Sequence, residues 1–108
     1  MPIYNKLVRD LIPNVITKTG KEFSTRILPE DEYIVELKKK LSEELQEYNE
    51  AKTDEEAVEE LADILELLHA AVKIHGSSVE KLGEVRKAKA EKRGGFEQRI
   101  FLIEVEDD

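Results

Sequence analysis

The sequence predicts an all-α protein, an antiparallel helical bundle of about four helices with a small terminal two-stranded β ribbon. Three observations carry that prediction. Apolar residues recur at helical spacing through the middle of the chain, from residue 30 to about residue 75, and a further helix follows to about residue 93. Capping patterns and breakers (Pro29, Thr53, Gly76, Gly94) punctuate that stretch at intervals that suit helices. Two short β-prone runs lie outside it, one on each side.

Taken in order, Pro13 suits the first turn of a short helix that runs to about residue 19 and ends at Gly20. Residues 22–28 (EFSTRIL) read as a short strand. Pro29 and the acids Glu30, Asp31 and Glu32 open a helix that reaches about residue 51. Thr53-Asp54-Glu55-Glu56 fits a capping box, with Thr53 as N-cap and Glu56 reaching back. The helix it starts keeps its apolar period to about residue 75, where Gly76 stops it. Ser77-Ser78-Val79-Glu80 is a second capping box, opening a helix to about residue 93. Gly94-Gly95 breaks that helix, and residues 99–105 (RIFLIEV) read as a strand able to pair with the first.

The 108 residues suffice for one domain, spanning 1–108, and a domain so small is helped by oligomerisation. There is no cysteine, which excludes disulfides and zinc–thiolate chemistry. The formal charge of −8, from 25 acids against 17 bases, opposes nucleic-acid binding. No apolar run approaches the ~20 residues that span a bilayer. The opening MPIYNKLVRD lacks the apolar core of a signal peptide, so a cytoplasmic location is expected.

Helical phase separates a few of the many carboxylates from the rest. On the first long helix, Ile34, Leu37, Leu41, Leu45 and Tyr48 form an apolar stripe, and Glu44 and Glu47 step off one edge of it at i, i+3. Glu43 points nearly opposite the stripe. On the second, Ala57, Leu61, Ile64, Leu65, Leu68 and Val72 define the main face, widened by Leu67, Ala71 and Ile74. Glu60 falls inside that widened arc, in line with Ile64, Leu67 and Ala71, and Asp63 sits at its margin. A carboxylate among aliphatic side chains is costly unless paired or bound to a metal. The short connection at residues 51–54 would bring the two pairs together. Four such carboxylates suit Mg²⁺, with Mn²⁺ as the alternative. The competing arrangement is a set of helix-to-helix salt bridges from these acids to Lys38, Lys39, Lys40 or Lys73.

The run Glu43-Glu44-Leu45-Gln46-Glu47, followed twelve residues later by Glu60-Leu61-Ala62-Asp63, resembles the EExxE…ExxD signature of the MazG-like all-α NTP pyrophosphatase superfamily. The resemblance covers nearly the whole chain. YNKLVRDLIP at positions 4–13 looks like the opening of a single-domain branch of house-cleaning pyrophosphatases. Lys89 followed by Arg93-Gly94-Gly95-Phe96 is similar to that branch's C-terminal pattern. The resemblance implies hydrolysis of a nucleoside triphosphate between its α and β phosphorus atoms, giving a monophosphate and pyrophosphate. It implies Glu44, Glu47, Glu60 and Asp63 as Mg²⁺ ligands. One of these, or Glu43, is left to accept the water's proton. Lys6, Arg9, Asp10, Lys89 and Arg93 are the candidate substrate contacts.

The related activities are phosphoribosyl-ATP pyrophosphohydrolase and dUTPase. From another class comes a non-catalytic helical interaction module whose acids only solubilise it. The aliphatic arc on the second long helix is wider than one partner helix covers, so a homodimer or a homotetramer is expected. His69 reads as a surface residue and Tyr33 as packing.

Overall fold

The second and third helices carry the fold, and the connection between them sets their register. The computed structural model describes residues 2–107 and contains α1 (Ile12–Lys18), α2 (Glu30–Glu50), α3 (Asp54–Ile74) and α4 (Val79–Arg93). Each of α2 and α3 has 21 residues, a length of about 31 Å at 1.5 Å per residue. Only three residues link them, so the chain returns along itself and α3 packs on α2 as the main helix–helix contact. α4 packs more lightly on α3. No described helix is long and apolar enough to cross a membrane.

The helix starts follow the chemistry of their caps. The Thr53 hydroxyl accepts from the Glu56 backbone N–H at 3.1 Å, as the capping box requires. The reciprocal bond is displaced by one residue: the Lys52 N–H, not that of Thr53, donates to Glu56 Oε2 at 3.1 Å. At α4 the cap is Ser78, which accepts from the Lys81 N–H at 3.1 Å. The box expected over residues 77–80 is therefore moved on by one. That puts a lysine where the glutamate should be, and only half of the motif forms. Gly76, at φ 70°, turns the chain out of α3 in the left-handed region that glycine tolerates.

The β ribbon is absent. Among the described residues there is no strand, and neither 22–28 nor 99–105 joins a sheet. The physical reason is scale: two short strands without a third strand or a covering helix are marginal in water. Arg99 further breaks an extended run with a φ of 59°.

Packing in the α2–α3 seam differs from the phase expectation in one decisive way. Leu37 is the one buried apolar side chain described, at 3% exposure, with Ile34 and Leu41 half-buried beside it. Across from them α3 presents Ile64, Leu67 and Ala71, all half-buried. The larger stripe of Leu61, Leu65 and Leu68 is left exposed. α3 is thus rolled so that the line carrying Glu60, not its most aliphatic face, meets α2.

Candidate metal centre

Glu44 and Glu60 each stand six residues from the loop-side end of their helix, so the tight return sets them level across the seam. Glu47 lies one turn nearer the loop on α2, and Asp63 one turn farther away on α3. Carboxylate oxygens of Glu44, Glu47 and Glu60 lie within 4.8 Å of one another. Glu44 is the most deeply placed, at 9% exposure; Glu60 is half-buried and Glu47 is open to solvent. Helical phase singles out Glu60, yet Glu44 is the more enclosed, because the roll of α3 covers the edge of the α2 stripe.

The hydrogen bonding is incomplete. With both carboxylates ionised, Glu44 Oε2 and Glu60 Oε2 are buried and have no partner. Lys40, one turn before Glu44, approaches its other oxygen only to 3.9 Å. Among the described residues no ion pair joins α2 to α3, so the salt-bridge alternative through Lys38, Lys39 or Lys73 does not form. Buried acceptors without donors are rare and costly.

The cluster's electrostatics follow from that geometry. Burial is the main cause that pushes the Glu44 carboxyl up, to about 7. Hydrogen bonding of the protonated acid to Glu60 and Glu47 adds to it, as do the charges of Glu47 and Asp63. Because the folded value lies above the ordinary 4.5, the linked stability is complete below about pH 4.5 and is lost as pH rises through 7. In EDTA the wild type should therefore lose roughly 1–3 kcal/mol between pH 5 and pH 8, a range that allows for solvent reaching the cluster past Glu47. Urea unfolding at both pH values checks this against Glu44→Gln, in which that component should vanish. Equal pH dependence in the two proteins would refute the assignment.

The remaining candidates are dispersed. Asp63 lies outside the triad but near enough for its charge to act on Glu44, and the Arg9 guanidinium donates to its Oδ1 at 2.6 Å. Glu43 is exposed on α2. Lys6 lies 5.5 Å over the Tyr4 ring. Lys89 and Arg93 are exposed in α4 and make no ion pair among the described residues. Asp10 lines a cleft of about 400 Å³ with Glu30, Tyr33, Glu66, His69, Ala70, Lys73 and Ile74. Tyr33 and His69 both border this cleft. Their i, i+3 and i, i+4 relations to Glu30 and Lys73 are the signal that phase analysis could have used. A larger hollow of about 610 Å³ is lined by residues of the single stretch 17–24 and gathers no carboxylate cluster.

No protein-family model matches the chain, and no curated protein or solved structure matches it either.

The donor set fits a hard divalent cation. All the facing atoms are carboxylate oxygens, the preference of Mg²⁺ and Mn²⁺ rather than of zinc or copper. Around an octahedral Mg²⁺ with oxygens at about 2.1 Å, ligand atoms lie roughly 3–4 Å apart. The two unpartnered oxygens supply what a bare acidic cluster lacks, buried acceptors that need a positive partner.

Proposed function

We propose that the protein is a Mg²⁺-dependent nucleoside triphosphate pyrophosphohydrolase that cleaves between the α and β phosphorus atoms. The observation that carries this reading is the pair of buried, unpartnered carboxylate oxygens of Glu44 and Glu60, beside Glu47 and facing across one helical seam. The resemblance of EExxE…ExxD to the MazG-like signature names the same residues and supplies the bond to be cut. House-cleaning of non-standard nucleotides is the role that this branch suggests.

In this reading Glu44, Glu47 and Glu60 hold the ion, and Asp63 joins them once it is released from Arg9. The ion supplies charge neutralisation of the triphosphate and Lewis acidity towards water. The chain's own residues then orient the substrate and take up the proton. Arg9, freed from Asp63, is placed to meet a phosphate oxygen as a planar, doubly donating cation. Glu43, one residue from Glu44 and exposed, is a base within reach of solvent. Lys89 and Arg93, exposed on α4, would meet a phosphate from a second copy packed against this site.

Such a second copy agrees with the exposed surface. The chain exposes 10222 Å², where a compact 12.4 kDa monomer should expose about 6,100 Å². Its radius of gyration is 18.6 Å against about 13 Å for a compact chain of this length. Leu61, Leu65 and Leu68 on α3, and Leu45 and Tyr48 on α2, are left without cover. A homodimer or homotetramer formed over that face would bury them. Sedimentation at micromolar concentration should show at least twice the 12.4 kDa chain mass, with Leu65→Lys shifted to the monomer. A stable wild-type monomer overturns the assembly.

The activity is tested by pyrophosphate release from a panel of common and non-standard nucleoside triphosphates with Mg²⁺. At least one should be hydrolysed to its monophosphate, and EDTA should stop the reaction. If none yields pyrophosphate, the chain is better read as a helical interaction module.

A further inference from the structure

The cleft bordered by Asp10, Glu30, Tyr33, Glu66, His69 and Lys73 lies on the side of the carboxylate triad away from the α2–α3 loop. Glu66 is one helical turn beyond Asp63, and His69 stands about 9 Å along the axis from it. The opposite wall comes from the start of α2, where Glu30 and Tyr33 are level with the far end of α3 in the same hairpin register. The N-terminal segment bridges the two regions: Arg9 pairs with Asp63, and its neighbour Asp10 borders the cleft. One elongated ligand laid along α3 would touch both.

The lining specifies which end of such a ligand goes where. Three carboxylates, Asp10, Glu30 and Glu66, repel phosphate and accept hydrogen bonds from hydroxyl or amino groups. Tyr33 and His69 bring two aromatic rings to the lining, the side-chain type on which a flat heterocycle packs, and Lys73 adds a donor. A volume of about 400 Å³ is at the small end of ligand pockets and suits a nucleoside. Phosphates are directed instead towards Arg9 and the triad.

We propose that this cleft is the nucleoside subsite and that its carboxylates grip the vicinal hydroxyls of a ribose, selecting ribonucleotides over 2′-deoxyribonucleotides. The inference rests on the pyrophosphohydrolase reading and gives that site its substrate class. Loss of one hydroxyl leaves a carboxylate unpaired, and the expected discrimination is about tenfold.

Calorimetry on the full chain with Mg²⁺ tests it, using the α,β-methylene analogues of the four common ribonucleoside triphosphates, their 2′-deoxy counterparts, and inorganic tripolyphosphate. At least one ribo analogue should bind about tenfold more tightly than its deoxy form. Glu66→Ala, at an exposed position, and Tyr33→Leu, which keeps apolar bulk, should each weaken that analogue about tenfold and leave tripolyphosphate unchanged. Equal affinity for ribo and deoxy forms overturns the ribose selection. Variants that bind the analogue as wild type does, or that lose tripolyphosphate in parallel, overturn the subsite. Wild-type protein that binds neither analogue nor tripolyphosphate overturns the pyrophosphohydrolase reading beneath it, a distinct result.

Discussion

Glu60→Gln is expected to lower pyrophosphate release by roughly a hundred- to a thousandfold, while the metal-free protein becomes more stable. Both effects have one cause. The Glu60 carboxylate faces Glu44 and Glu47 across the seam with a buried oxygen that nothing neutralises. In the metal-free protein an amide there removes repulsion and offers Glu44 a donor. A gain of about 1 kcal/mol would raise the melting temperature by roughly 4–8 °C in a domain of this size. With Mg²⁺ the same change removes an anionic ligand, and the stabilisation that wild type gains from the ion should shrink. The measurement is a pair of melting curves, with and without Mg²⁺, beside the activity assay. A folded Glu60→Gln protein with full activity and an unchanged Mg²⁺-dependent shift would remove Glu60 from the site. The opposed signs matter, because a merely structural glutamate would lose stability on replacement and show no dependence on the ion.

The second large effect concerns the seam that holds the carboxylates in register. Leu37→Ala is expected to cost about 2–5 kcal/mol, the range for truncating a buried leucine. Leu37 is the most enclosed apolar side chain described, and the half-buried Ile34, Leu41, Ile64 and Leu67 cannot fill the space without shifting α3 against α2. Against a typical total of 5–15 kcal/mol that loss is large. Urea unfolding followed by helical circular dichroism gives the number directly. Val35→Ala, on the other side of the same helix at 61% exposure, is the comparison, with an expected change within about 0.5 kcal/mol. A Leu37→Ala protein as stable as the Val35 variant would show that the fold is held elsewhere.

The helices were legible because their signals are local. Thr53 and Gly76 mark the limits of α3 by hydrogen bonding and backbone freedom that need no distant partner. The ribbon was misjudged for the opposite reason. Residues 22–28 and 99–105 have the β-branched and aromatic composition of strands, yet a strand exists only when another accepts its hydrogen bonds. Composition cannot show whether one is near.

The carboxylates illustrate the same division within one site. Phase against the apolar faces of two helices joined by a short turn picks out Glu44, Glu47, Glu60 and Asp63 from 25 acids, and the structure gathers the first three. That much follows from helix pitch together with the apolar pattern around them. Three outcomes belonged to the tertiary structure: that Glu44 is the enclosed member, that Asp63 is held by Arg9, and that Tyr33 and His69 share a cleft with Asp10. Each depends on how far α3 is rolled about its axis against α2. The sequence leaves that roll open, because α3 has two adjacent apolar arcs and either could meet α2. The structure seats the narrower arc, with its glutamate, in the seam and leaves the leucine stripe outside.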